Sequence, residues 1–103
     1  MDETRQLITS ENIEEKLQER DEAALAFLYD NYSGALYGVL LKMLRDPELC
    51  QDMLQESFVK IWKNAEKFNS AKASLYTWML NITRNNAIDY LRSKRNKNDL
   101  QNR

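Results

Sequence analysis

The chain has 103 residues, the size of one domain, and its 43% apolar content is enough for a core, which excludes general disorder. Two glycines and one proline are too few to supply the turns of an all-β fold, so an all-helical chain is expected. The net charge of −1 conceals two unlike halves: residues 1–57 hold five Lys/Arg against thirteen Asp/Glu, whereas residues 58–103 hold ten against three. Such asymmetry points to one basic and one anionic partner, against the plainer alternative of a mosaic surface with no partner.

The remaining composition narrows the chemistry. The chain has no histidine, the commonest metal ligand and general base. Its one cysteine, Cys50, leaves no disulfide framework and no multi-thiolate metal site, so neither a metal nor a cofactor is expected. No apolar run approaches the roughly 18 residues of a membrane span, and MDETRQLITS has no apolar h-region. A soluble, cytoplasmic domain is expected, and it is expected to act as a monomer.

The first ten residues lack periodicity and read as a flexible N-terminus. A short helix is predicted from about Glu11, with Ser10 as N-cap and Ile13 and Leu17 on one face. Asp21 then caps a longer helix carrying Leu25, Leu28, Tyr29, Tyr32, Leu36, Val39, Leu40 and Met43 at helical spacing. Gly34 and Gly38 lie inside it, four apart, each costing up to about 1 kcal/mol against Ala. The spacing predicts that another helix approaches closely there.

Asp46 and Pro47 end that helix and begin a third, which runs to about Ala65 with Leu54, Phe58 and Ile61 as its buried stripe and Met53 and Trp62 beside it. A polar loop occupies residues 67–73. Ser74 caps the last helix, whose inner face reads Leu75, Trp78 or Met79, Ile82, Ala87 or Ile88, and Leu91. Beyond Arg92 the helix is expected to fray, with residues 96–103 forming a tail or linker. The architecture predicted is all-α: a compact bundle of three main helices plus a short N-terminal one, spanning residues 11–95.

Two constellations could carry function. On the third helix Glu48, Asp52 and Glu56 follow one another at four-residue intervals beside Gln55, away from the apolar stripe. Like charges at that spacing destabilise a helix by a few tenths of a kcal/mol each, which suggests a basic protein surface as partner. A solvated face with Glu56–Lys60 neighbours explains the stripe equally well. A catalytic use of Asp52 and Glu56 has no third group to orient them, so an enzyme is not expected.

The second constellation runs from Phe68 to Arg95. Phe68, Tyr76 and Trp78 alternate with Lys67, Lys72, Arg84, Arg92, Lys94 and Arg95 and with Asn69, Asn81, Asn85 and Asn86. Rings stack on unpaired bases for about 1–3 kcal/mol each, while Lys and Arg follow phosphates. Asn81, Arg84, Asn85 and Arg92 share one stripe opposite Ile82 and Leu91, as a backbone-tracking helix requires. The alternative is that Trp78 is core and that Arg92–Arg95 complement the helix dipole.

The segments DMLQESFVKIW (52–62) and YTWMLNITRNNAIDYLRSKR (76–95), with the loop around Phe68 between them, resemble region 2 of bacterial sigma-70 superfamily factors, closest to the extracytoplasmic-function type. The resemblance runs from about Asp21 to Arg95. It implies that the acidic helix docks on the clamp helices of the largest core RNA polymerase subunit, through Asp52, Gln55 and Glu56, with Met53 as an apolar contact. It implies also that the next loop and last helix capture the non-template strand of the minus-ten promoter element around a flipped base. Phe68 and Asn69 would line the base pocket with Asn85 beside it, while Lys72, Tyr76, Asn81, Arg84, Arg92 and Arg95 would contact the strand.

An anti-sigma protein is a further partner that the resemblance implies. A second reading keeps only the protein contacts: a module that binds polymerase or an anti-sigma protein without opening DNA. The sequence departs from the family at Asn81, where Arg is common, at Thr83, where Ala is common, and in the loop NSAKAS, which lacks the usual glycine. Complete members carry a second helical domain for the minus-thirty-five element, so the chain reads as part of a longer factor.

Overall fold

Asp21 decides where the first long helix begins. Its carboxylate accepts from the Ala23 N–H at 2.9 Å, satisfying a donor that the helix itself leaves unpaired. The computed structural model describes residues 7–101, with side chains as far as Asn96. Within them the expected all-α architecture is present: α1 (Ile13–Gln18), α2 (Glu22–Leu44), α3 (Pro47–Lys63), a 3₁₀ turn (Ala65–Lys67) and α4 (Leu75–Gln101). Residues 1–6, which carry most of the N-terminus read as flexible, lie outside the described residues, as do the last two of the tail.

Local chemistry accounts for each junction. Thr9 and Asn12 hold the start of α1 in place of the expected Ser10: the Thr9 N–H donates to Asn12 Oδ1 at 2.8 Å, and the Asn12 N–H reaches Thr9 Oγ1 at 3.3 Å. After α1 the chain turns through Arg20 at φ 57°. There the Asp21 N–H bonds Lys16 O and the Arg20 N–H bonds Leu17 O, the paired closure of a Schellman motif. Arg45 adopts the same left-handed conformation after α2, with its N–H on Leu41 O at 2.9 Å. Asp46 then caps α3 by accepting from Glu48 N and Leu49 N, and Pro47 stands in the first turn, where its missing N–H costs nothing. Ser74 Oγ accepts from the Thr77 N–H at 3.1 Å and so opens α4 as expected.

α2, α3 and α4 pack on one another around a single core. Leu28, Leu36 and Leu40 come from α2, Cys50, Leu54, Phe58 and Ile61 from α3, and Met79 and Ala87 from α4. α1 closes one end through Ile13 and Leu17 against the 3₁₀ turn, where Ala65 and Phe68 are buried. Each large apolar side chain removed from water in this way contributes about 1.5–3 kcal/mol.

Four expectations need correction. No helix approaches Gly34 or Gly38: a Cβ built on either would meet no atom within 4 Å. α3 stops at Lys63, because Asn64 folds its side-chain amide back onto Lys60 O at 2.8 Å and the chain tightens into the 3₁₀ turn. The inner face of α4 is turned relative to the one read from the sequence, with Met79, Thr83, Asn86 and Ala87 buried and Leu91 exposed. The reason is that two polar side chains are buried with partners. Thr83 Oγ1 donates to Met79 O at 2.9 Å, and Asn86 bridges to α3. Lastly, α4 does not fray at Arg92 but continues as helix to Gln101.

Candidate nucleic-acid and protein interfaces

The acidic stripe of α3 is a free surface. Glu48, Asp52, Gln55 and Glu56 are all exposed, and among the described residues none of the acids has an ion-pair partner within 4.0 Å. The Glu56–Lys60 pair of the solvated-face reading is not made: Lys60 Nζ instead donates to Asn86 Oδ1 of α4. That bond belongs to a buried junction. Asn86 Nδ2 donates to Ser57 Oγ at 3.2 Å and approaches Met53 O at 3.4 Å, and Ser57 Oγ donates to the same Met53 carbonyl at 2.7 Å.

Met53 is therefore not on the stripe. It is 7% exposed and packs in the core beside this junction. The apolar residue that does share the acidic face is Val59, seven residues beyond Asp52 and 51% exposed. Sequence reasoning passed over it, although an apolar residue in a polar stripe was the available signal. Val59 also borders a groove of about 700 Å³ between α2 and α3, with Leu25, Tyr29, Phe58 and Trp62 as its apolar walls and Glu22 and Asp30 among its polar lining. The Tyr29 and Phe58 rings meet there at 5.1 Å between centroids.

On α4 the expected stripe of Asn81, Arg84, Asn85 and Arg92 is exposed, though not opposite Leu91, which is itself exposed, and Arg95 joins it. At 100° per residue they fall within about 100° of one another, opposite the buried Met79 and Thr83. The other candidates sit differently. Tyr76 lies on the far side of α4, half-buried, with its ring stacked 6.1 Å from Tyr32 of α2. Phe68 is 3% exposed and packs at 5.2 Å against Trp78, so it supports the loop rather than offering a free ring.

The loop itself is built from its own side chains. Asn69 Oδ1 accepts from the Ala71 N–H at 2.9 Å, an Asx turn, while Asn69 O accepts from Lys72 N and Ala73 N. These bonds close NSAKAS, none of whose residues has a positive φ that would call for glycine. They leave Asn69 and Lys72 exposed, with the Asn69 amide N–H₂ pointing to no partner among the described residues. Loop and stripe both expose amide and cationic groups within the basic half of the sequence. No cluster of three or more potential metal ligands occurs among the described residues.

Comparison with known proteins places this architecture. The family model described as sigma-70 region 2 matches residues 28–97. The chain belongs to the sigma-70 region 2 family. This region 2 domain is 36% identical over 72 residues to the ECF RNA polymerase sigma factor SigK of Mycobacterium tuberculosis (strain ATCC 25618 / H37Rv), covering 70% of the chain and 38% of that protein. It is 29% identical over 79 residues to SigK of Mycolicibacterium vanbaalenii, covering 77% and 40%. The chain thus spans about two fifths of the length of the curated relatives it matches.

Among solved structures it resembles an engineered region 2 of sigmaE in complex with GTAAAA, with a TM-score of 0.75 and 23% identity over 94% of this chain and 97% of that one. The likeness shows that the region 2 fold accommodates the sequence, α4 included. The stretch that matches the family begins inside α2, so α1 and its contacts to the loop lie outside it.

Proposed function

We propose that this region 2 domain joins core RNA polymerase through the exposed face of α3 and captures the non-template strand of the minus-ten promoter element with α4 and the preceding loop, opening the promoter for transcription. The observation that carries this is the separation of two unneutralised faces. One bears Glu48, Asp52, Gln55 and Glu56 around Val59, and the other bears Asn81, Arg84, Asn85, Arg92 and Arg95. The likeness to SigK and to a sigmaE region 2 in complex with GTAAAA supports the same assignment.

The division of labour follows from the side chains. Carboxylates around an exposed Val suit a basic protein surface with an apolar centre. Guanidinium groups on one helical stripe follow phosphates, and the amides of Asn69 and Asn85 can bond the edge of an unstacked base. Unstacking costs a few kcal/mol, which phosphate contacts, stacking and amide bonds offset. No covalent bond is made or broken in this reading, and the place of action is the cytoplasm, where the DNA is.

The test separates the two faces. Asp52→Lys with Glu56→Lys should abolish polymerase binding while leaving single-strand binding intact. Arg84→Ala should leave polymerase binding intact while weakening single-strand binding, and should reduce the log–log salt slope of strand binding by about 0.7, the share of one phosphate. Loss of both activities from either change would contradict the assignment. The groove between α2 and α3 favours a second reading for that side of the molecule: it is a seat for an apolar side chain of an anti-sigma protein. Tyr29→Asp should then weaken anti-sigma binding without altering DNA binding.

A further inference from the structure

Three of the large apolar side chains left exposed fall on two faces of opposite charge. Tyr29 and Val59, 46% and 51% exposed, line the groove between α2 and α3. Leu91, 41% exposed, stands on α4. At 100° per residue it lies within about 40° of both Arg84 and Arg95, which precede and follow it along the helix. Ile88, half-buried, adds to the same ridge. The basic stripe therefore has an apolar knob between two guanidinium groups.

The groove carries the complementary pattern. Glu22 and Asp30 bound its α2 side, about 12 Å apart along the helix, while Arg84 and Arg95 are about 16 Å apart on α4. All four side chains are exposed, and none has an ion-pair partner within 4.0 Å among the described residues. On α3 the acidic face continues past Val59 through Glu56 and Asp52. Lys63 is the one cation in the lining. A volume of about 700 Å³ admits a helical ridge rather than a single side chain. α4 is one continuous helix from Leu75 to Gln101, so Leu91 cannot fold back into the groove of its own copy.

We propose that a second copy of this chain fills the groove, seating Leu91 against Tyr29 and Val59 with Arg84 and Arg95 facing Glu22 and Asp30. An apolar centre ringed by opposite charges is the usual anatomy of a protein interface. Each copy carries both halves of the contact, so two copies that exchange Leu91 fill both grooves. The contact is small and its ion pairs are exposed, which makes the association weak and salt-sensitive. It covers the arginines of α4 and abuts the acidic face of α3. On the proposed function, then, the monomer is the working form and the associated form holds both faces in reserve.

The experiment is sedimentation equilibrium of the 103-residue chain, from about 10 µM to about 1 mM. At about 50 mM salt the average mass should rise with concentration above the 12.2 kDa of the monomer, and about 500 mM salt should weaken association at least tenfold. Leu91→Asp should weaken it at least tenfold. So should Glu22→Lys with Asp30→Lys, and separately Arg84→Glu with Arg95→Glu, because each pair sets like charges against each other. Mixing the two charge-reversed chains should restore association, since each then meets its opposite. Helical circular dichroism checks that every variant is folded.

A chain that stays monomeric at every concentration and both salts overturns the proposal. It leaves polymerase and strand binding standing and returns the groove to the anti-sigma reading. Association that survives Leu91→Asp, or that the mixed charge-reversed chains fail to restore, overturns the contact assigned to the groove.

Discussion

Replacing Gly34 and Gly38 by alanine should stabilise this protein. Both residues lie in the interior of α2, nine or more residues from its start, where glycine is less favourable than alanine by about 0.8–1.0 kcal/mol per site. The usual reason to keep a helical glycine is a neighbour too close for a methyl group. Here a Cβ at either position meets nothing within 4 Å, so no clash opposes the gain and little new burial adds to it. The double variant should gain about 1.5–2 kcal/mol, equivalent to about 6–15 °C in Tm for a domain of this size.

The assay is urea unfolding followed by helical circular dichroism. The midpoint should rise at unchanged slope, since the surface exposed on unfolding barely changes. Ala35, exposed on the same helix, provides the mirror experiment: Ala35→Gly should lose about 1 kcal/mol. A loss of stability in either glycine variant would refute the open-surface account of α2 and restore the close helix approach that the sequence suggested.

Asn86→Ala should cost about 1–3 kcal/mol by thermal melting, because it removes the donor to Ser57 Oγ and the acceptor for Lys60 from a site that is 4% exposed; a change under 0.5 kcal/mol would contradict the bridge. Cys50 is fully buried, so a thiol reagent should label it only as the protein unfolds, at a rate that rises with urea, and rapid labelling in native buffer would contradict the packing of α3. Val59→Asp should leave Tm within about 2 °C, as befits a half-exposed surface site, yet weaken polymerase binding at least tenfold in a pull-down titration; unchanged binding would remove Val59 from the interface.

The helices were legible because their ends are written in single residues. Asp21, Asp46 with Pro47, and Ser74 each announce a helix, and each accepts the backbone N–H that its position requires. The face of α4 was not, because periodicity scores Thr83 and Asn86 as polar and cannot foresee that Ser57, Met53 O and Lys60 satisfy Asn86 in the core. Met53 and Val59 exchanged roles for the related reason that methionine looks equally suited to a core and to an interface. The two glycines misled because a cost in helix propensity implies a compensating contact only when the whole molecule is present.

For the site, the shared face of Asn81, Arg84, Asn85 and Arg92 was readable from spacing, but the core side opposite it was not, since Met79 and Thr83 hold it in place of Ile82 and Leu91. The hydrogen bonds that Ser70 donates to the Glu14 carboxylate, which tie α1 to the loop, were invisible to any local pattern. They join residues 56 apart through one carboxylate, and Glu14 in the sequence is one acid among many in an acidic half.

The most direct test of the central claim is strand selectivity in the presence of core RNA polymerase. Labelled non-template and template strands of the minus-ten region would be titrated into the complex of this chain with core enzyme, at two salt concentrations. Preferential binding of the non-template strand, lost with Asn85→Ala and Arg84→Ala while polymerase binding persists, is the expected result. Equal binding of both strands, or a preference indifferent to those substitutions, would contradict promoter recognition and leave a protein-binding module alone.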